Sequence, residues 1–228
     1  MSVQVLLAAV VAAAVAAAGP LVLMRLPEPA EPVEGKKPYA DVARIRGAMI
    51  WMVVPAVAGA ALIAWRIEAP ELIPAWVLVC GAGGWLAFVD WHTHYLPFLL
   101  TAPLYLGAWL LVGLAALLLD DHRVLVDALV ANVVVYVIFR VIHWVGSRFM
   151  GGAFGYGDVR LAAVLAVVLG PLGREATTVG LYAGFLLGAV FGLLLQRLRI
   201  VGRGEIAFGP YLLAGAVLGA AWGPALYA

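Results

Sequence analysis

Apolar residues along this chain come in long blocks separated by short polar punctuation, not in the alternating pattern of strands or the one-sided pattern of surface helices. A spanning helix needs about 20 apolar residues, with a range of about 17–25. Eight blocks answer to that length. The first runs from near Val3 to Met24, the second from Gly47 to Trp65, the third from Leu72 to Asp90 and the fourth from Pro97 to Leu119. The fifth is Val124 to Gly146, the seventh Ala176 to Gln196 and the eighth Ala207 to Tyr227. The sixth, from near Gly157 to Gly170-Pro171, is the short one. The pattern predicts an all-α fold: a polytopic transmembrane helix bundle of about eight spanning helices.

Composition agrees with the pattern. The chain has 228 residues, 65% of them hydrophobic, and only 12% charged against roughly 25% in a soluble domain. Residues 1–24 form the first transmembrane helix, 25–46 a cytoplasmic loop, and 47–228 a single bundle. The loop carries Pro27, Pro29, Pro32 and Pro38 among mixed charges and reads as an extended, solvated connector. No Lys or Arg precedes the first apolar block. A cleaved signal peptide wants a basic start, so the block reads as a retained helix with its N-terminus outside.

Charge sorts the loops. Arg25, Lys36, Lys37, Arg44 and Arg46 mark the first loop as cytoplasmic, because loops rich in Lys and Arg stay inside. Alternation then puts Arg140, Arg148, Arg160, Arg197, Arg199 and Arg203 near the same face and leaves only Arg66, Arg123 and Arg174 outside. Both termini lie outside in this scheme. The net charge of +1 gives no reason to invoke a nucleic acid. The single cysteine, Cys80, sits in an apolar run and reads as a small buried hydrophobe.

Intramembrane acids cost about 2.5–3.5 kcal/mol each on insertion scales, so each invites a functional reading. Asp90 closes the third block, and Asp158 opens the sixth after Gly155-Tyr156-Gly157. The topology places both at the cytoplasmic boundary. If they meet, they cannot both ionise cheaply, and the pair titrates as a unit. That suits aspartyl proteolysis, in which one acid takes a proton from water and the other protonates the scissile carbonyl. Solvated helix-end acids are the competing reading.

Three segments carry a family resemblance. Gly155-Tyr156-Gly157-Asp158-Val159-Arg160-Leu161 resembles the Gly-x-Gly-Asp motif of the type IV prepilin peptidases, the A24 aspartic peptidases. Asp90-Trp91-His92-Thr93-His94-Tyr95-Leu96-Pro97 is similar to the family's first aspartate motif. Ile206-Ala207-Phe208-Gly209-Pro210-Tyr211 is similar to the segment that opens its last helix. The resemblance implies catalytic aspartates at Asp90 and Asp158. Gly155, Tyr156, Gly157, Arg160, Pro97, Phe208, Gly209 and Pro210 would support them. It further implies a bacterial cytoplasmic membrane enzyme, needing no cofactor or metal, that cuts the leader of prepilin-like or pseudopilin-like proteins. No oligomeric state follows.

The sequence departs from the family pattern in three places. Phe98 stands where many members have a second Asp, and Arg160 where many have Lys. The first loop lacks the paired cysteines associated with zinc and with N-methylation. The resemblance therefore implies the peptidase activity and does not extend to methylation. Two readings from other classes stand beside it: a small proton- or cation-coupled transporter, and a non-catalytic assembly scaffold. A presenilin-type protease matches only at Asp158. His92 and His94 beside Asp90 suggest a metal site or a polar loop lip. His143 and Ser147, one turn apart, suggest a serine pair or a boundary cluster. The eight tryptophans read mostly as interfacial belts.

Overall fold

The computed structural model describes residues 2–29, 36–149, 155–199 and 207–223. The expected inner cation Arg203, motif residue Ile206 and the helix end at Tyr227 lie outside them. Among the described residues there is no strand. The elements are α1 (Val3–Ala17), α2 (Gly19–Arg25), α3 (Tyr39–Ala43), α4 (Ala48–Arg66), α5 (Ile73–Thr93), α6 (Phe98–Leu118), α7 (Arg123–Phe149), α8 (Tyr156–Leu169), α9 (Arg174–Arg197) and α10 (Gly209–Trp222).

Among the described residues, six segments are long and apolar enough to cross a membrane alone: α1 with α2, α4, α5 with the turn before it, α6, α7 and α9. The sixth and eighth expected spans are helices of 14 residues each, α8 and α10. Their position explains the shortness. Eleven residues of α8 are buried, so it is an interior element rather than a lipid-facing one. It packs against α7, α6, α10 and α9. α7 is the opposite case. It buries mainly Val124, Ala128, Asn132, Val135 and Phe139, one stripe at helical spacing, and turns the rest outward.

α5 is the hub, touching α1, α4, α6, α8 and α10. It runs to Thr93, so Asp90 lies a turn inside the helix rather than at its end. Thr93, its last residue, donates its hydroxyl back to the Val89 carbonyl at 2.8 Å and so is satisfied within the helix although buried. α9 and α10 form the closest pair. Gly180, Gly184 and Gly188 on α9 face α10, and a Cβ on Gly215 would lie 2.5 Å from the Gly180 carbonyl oxygen. Small residues let the backbones approach without side chains between them.

The first span breaks where its chemistry requires. Pro20 has no N–H to donate to the Ala16 carbonyl. The Trp85 indole Nε1–H donates to that oxygen instead, at 3.0 Å, and ties α5 to the break. The loop that follows is less solvated than the expected connector. Tyr39 and Val42 of α3 are buried, and α3 packs on α2 and α5. Glu28 accepts the Tyr39 N–H at 2.6 Å and pairs with Lys36, whose ammonium lies 3.6 Å from the centre of the Tyr39 ring. These contacts clip the proline-rich stretch to α3. Trp76 also departs from expectation: it is 1% exposed, packed within the bundle and not at an interface. Across α6, α7 and α8 runs one buried polar link. Tyr105 donates to Asn132 Oδ1 at 3.0 Å, and Asn132 Nδ2 donates to the Ala163 carbonyl at 2.8 Å.

Candidate active site

Three helix ends converge on Asp90 and Asp158. α5 stops because His94 takes a left-handed conformation (φ 51°) and its N–H donates back to the Asp90 carbonyl at 2.8 Å. Pro97, with its fixed φ, then starts α6. The short turn between them lays Leu96 against Gly157, where a Cβ would lie 2.7 Å from the Leu96 Cβ. α8 begins at Tyr156, so Asp158 falls in its first turn, and its N–H donates to the Gly155 carbonyl at 3.2 Å. A Cβ on Gly155 would lie 3.2 Å from Asp158 Oδ2.

Both carboxylates are buried, Asp90 at 4% exposure and Asp158 at 9%. The charge of Asp90 bears on Asp158, so the two lie within electrostatic reach of each other. Their surroundings differ. Asp90 Oδ2 accepts the Gly209 N–H at 2.8 Å. Gly209 opens α10, where the first amides have no partner within the helix, and Pro210 next to it contributes none. A carboxylate from a second helix fills that role and gains from the positive end of α10. Asp158 Oδ1 is buried and accepts no hydrogen bond among the described residues. Leaving such an oxygen unsatisfied costs about 1–3 kcal/mol. The arrangement therefore holds two acids in one place, one anchored by an amide and the other with an open acceptor.

Phe208 caps this corner. Its ring lies tilted against Phe185 of α9 at 5.2 Å, which lies tilted against Phe139 of α7 at 5.4 Å. Pro210, with Ala87, Trp91 and His92, lines the near end of an apolar groove of about 890 Å³ between α4, α5 and α10. The groove's far end is lined by Leu62 and Trp76.

Tyr156 and Arg160 point away from the acids, into an aromatic and basic cluster. The Arg160 guanidinium lies 4.7 Å from the Tyr156 ring centre and 5.0 Å from that of Phe98. The two positions that depart from the family pattern, Phe98 and Arg160, thus touch each other. Arg140 stacks on the same Tyr156 ring at 5.7 Å and pairs with no acid among the described residues. The Tyr136 and Tyr156 hydroxyls are 3.3 Å apart. Tyr136 was not marked by any motif; its spacing of four from Arg140 on one helix face is the signal that joins them.

Neither histidine reading finds a site. His92 bonds through Nδ1 to the Phe88 carbonyl at 2.8 Å and stacks on the Phe88 ring, along its own helix. Among the described residues no three His, Cys, Asp or Glu side chains gather as a metal set. Ser147 donates its hydroxyl to the Trp144 carbonyl, and His143 lies against Tyr156 instead of forming a serine pair.

The fold and the paired buried acids define a multi-pass helical membrane protein with a candidate acid–base site at one end of the bundle. The type IV leader peptidase family model matches residues 72–196, which is 125 of the 228 residues. The chain belongs to that family and is a leader peptidase by membership. The match contains both aspartate motifs and ends before Phe208-Gly209-Pro210, whose place at the site rests on geometry. No curated protein and no solved structure matches the chain.

Proposed function

We propose that the protein is an intramembrane aspartic endopeptidase in which Asp90 and Asp158 activate water together. It removes the leader of prepilin-like or pseudopilin-like substrates where a short basic segment meets an apolar helix. One observation carries the reading: two acids from distant parts of the chain, both buried and within electrostatic reach, one held by a helix-terminal amide and the other with an open acceptor oxygen.

The chemistry needs one proton shared between two carboxyls. The ionised member takes a proton from a water molecule as its oxygen attacks the scissile carbonyl carbon. The protonated member gives its proton to the carbonyl oxygen. Collapse of the tetrahedral intermediate breaks the C–N bond, and a proton returns to the departing amine. No covalent intermediate forms. The apolar groove supports this reading, since it offers the substrate's apolar helix a wall that includes Trp91 and Pro210, the chain neighbours of Asp90 and Gly209. The sorting of cations along the sequence supports a cytoplasmic position for this end of the bundle.

The test is cleavage of a prepilin-like substrate in liposomes by wild type, Asp90→Asn and Asp158→Asn. Asn keeps the size and cannot cycle a proton. Wild type is expected to cut at the leader junction, and each variant to lose the activity while keeping helicity. Normal cleavage by either folded variant refutes the dyad. A wild-type protein that cuts no pilin-like substrate refutes the substrate class.

A further inference from the structure

The cluster around Tyr156 holds two guanidiniums with no counter-charge among the described residues. Arg140 on α7 and Arg160 on α8 lie 5.7 and 4.7 Å from the centre of one ring. No ion pair involves either of them there. Both exert their fields on the Tyr136 phenol, which lies 3.3 Å from the Tyr156 hydroxyl. Aromatic faces offset part of the cost of holding two like charges together and neutralise neither. What the cluster lacks is an anion with several acceptor oxygens.

Depth and exposure say where such an anion comes from. Arg140 lies about 26 Å along α7 from Arg123, at 1.5 Å per residue. The hydrocarbon core is about 30 Å thick. With Arg123 at one boundary, Arg140 reaches the opposite one, where headgroup phosphates sit. Tyr136 and Tyr156 are 38% and 37% exposed, and the neighbouring Val133, Val137 and Val141 are all more than half exposed, so this face meets the bilayer. Guanidinium forks match phosphate oxygens in pairs, and basic pockets between spanning helices suit anionic headgroups.

We infer that Arg140, Arg160, Tyr136 and Tyr156 form a binding site for the phosphodiester of one anionic glycerophospholipid. The two guanidiniums clamp the phosphate, and the phenols donate to its remaining oxygens. The bound lipid ties α6, α7 and the start of α8 together, two residues from Asp158. The inference is independent of the peptidase reading.

The experiment is a titration of delipidated protein in neutral detergent with phosphatidylglycerol, the bound lipids being counted by native mass spectrometry. Wild type is expected to keep one tightly bound phosphatidylglycerol that phosphatidylcholine does not displace. Arg140→Gln or Arg160→Gln should weaken it about tenfold, and the pair should abolish it. Arg140→Lys with Arg160→Lys keeps the charges without the forks and should fall between, provided circular dichroism shows the native helicity. Arg44→Gln, whose arginine already faces Asp41, should change nothing. Retention of the lipid by the double Gln variant overturns the inference, as does equal binding of phosphatidylcholine. Competition by millimolar inorganic phosphate at equal potency would make the site one for soluble anions. A lipid count unaltered by the double Gln variant, with a raised KM for substrate, would assign the cluster to a substrate carboxylate instead.

Discussion

Gly209→Ala is the smallest change that separates Asp90 from its support. An alanine Cβ at this position would lie 2.9 Å from Asp90 Oδ2 and 3.3 Å from its Cγ. Asp90 is in the body of α5 and 4% exposed, so its carboxylate has no solvent to swing into. It must move off the Gly209 N–H, which it now accepts at 2.8 Å. A hydrogen bond to a charged group contributes about 1.5–3 kcal/mol. At about 1.36 kcal/mol per decade of rate, its loss should slow leader cleavage about 10- to 150-fold. Ala is a better helix former than Gly, so α10 itself should not unwind. The assay is the initial rate of prepilin-like substrate cleavage in liposomes, with circular dichroism as the check on folding. A folded variant cutting within twofold of wild type would show that Asp90 does not depend on this amide.

Other substitutions probe the scaffold. A methyl group added at Gly113 in α6 would meet nothing within 4 Å, so Gly113→Ala should raise the melting temperature, by about 0.5–1 kcal/mol of stability, and leave cleavage unchanged. Asn132→Leu removes the donor and acceptor that join Tyr105 to Ala163; thermal unfolding in detergent should show a loss of about 1–3 kcal/mol. Burial pushes the Tyr39 phenol above its ordinary value, with Tyr95 and Glu28 adding to the shift. The folded protein therefore keeps it neutral while the unfolded chain ionises it near pH 10. Its contribution to stability should be constant below about pH 10 and decline above it; a melting-temperature difference between wild type and Tyr39→Phe that stays flat to pH 11 would contradict this.

The spans were legible because lipid imposes a simple rule: an apolar run of helical length must be a helix. Residue boundaries followed to within a few positions, and the exceptions have causes. Asp90 reads as a helix end because polar residues follow it, yet the helix runs on to Thr93, whose hydroxyl bonds back to Val89. Trp76 reads as interfacial by residue type, and only packing among α4, α5 and α10 buries it. The two acids were legible as expensive residues at the ends of apolar blocks, Asp158 with glycines just before it. Gly209 was reached only through the family resemblance; its bond to Asp90 was not legible from the residues, because it spans 119 residues and leaves no periodic trace. Arg140 reads from the sequence only as an inner-face cation, and the structure sets it over an aromatic ring.

The shortness of α8 bears on how a hydrolase works inside a bilayer. At 14 residues the helix is about 21 Å long, some 9 Å less than the hydrocarbon it lies in. Asp158 is its third residue. α7 beside it continues from Arg140 to Phe149, so the neighbouring wall stands higher than the helix carrying the acid. The usual accommodation of so short an apolar length is local thinning of the bilayer, which carries the aqueous surface towards Asp158 without a channel drilled through the membrane.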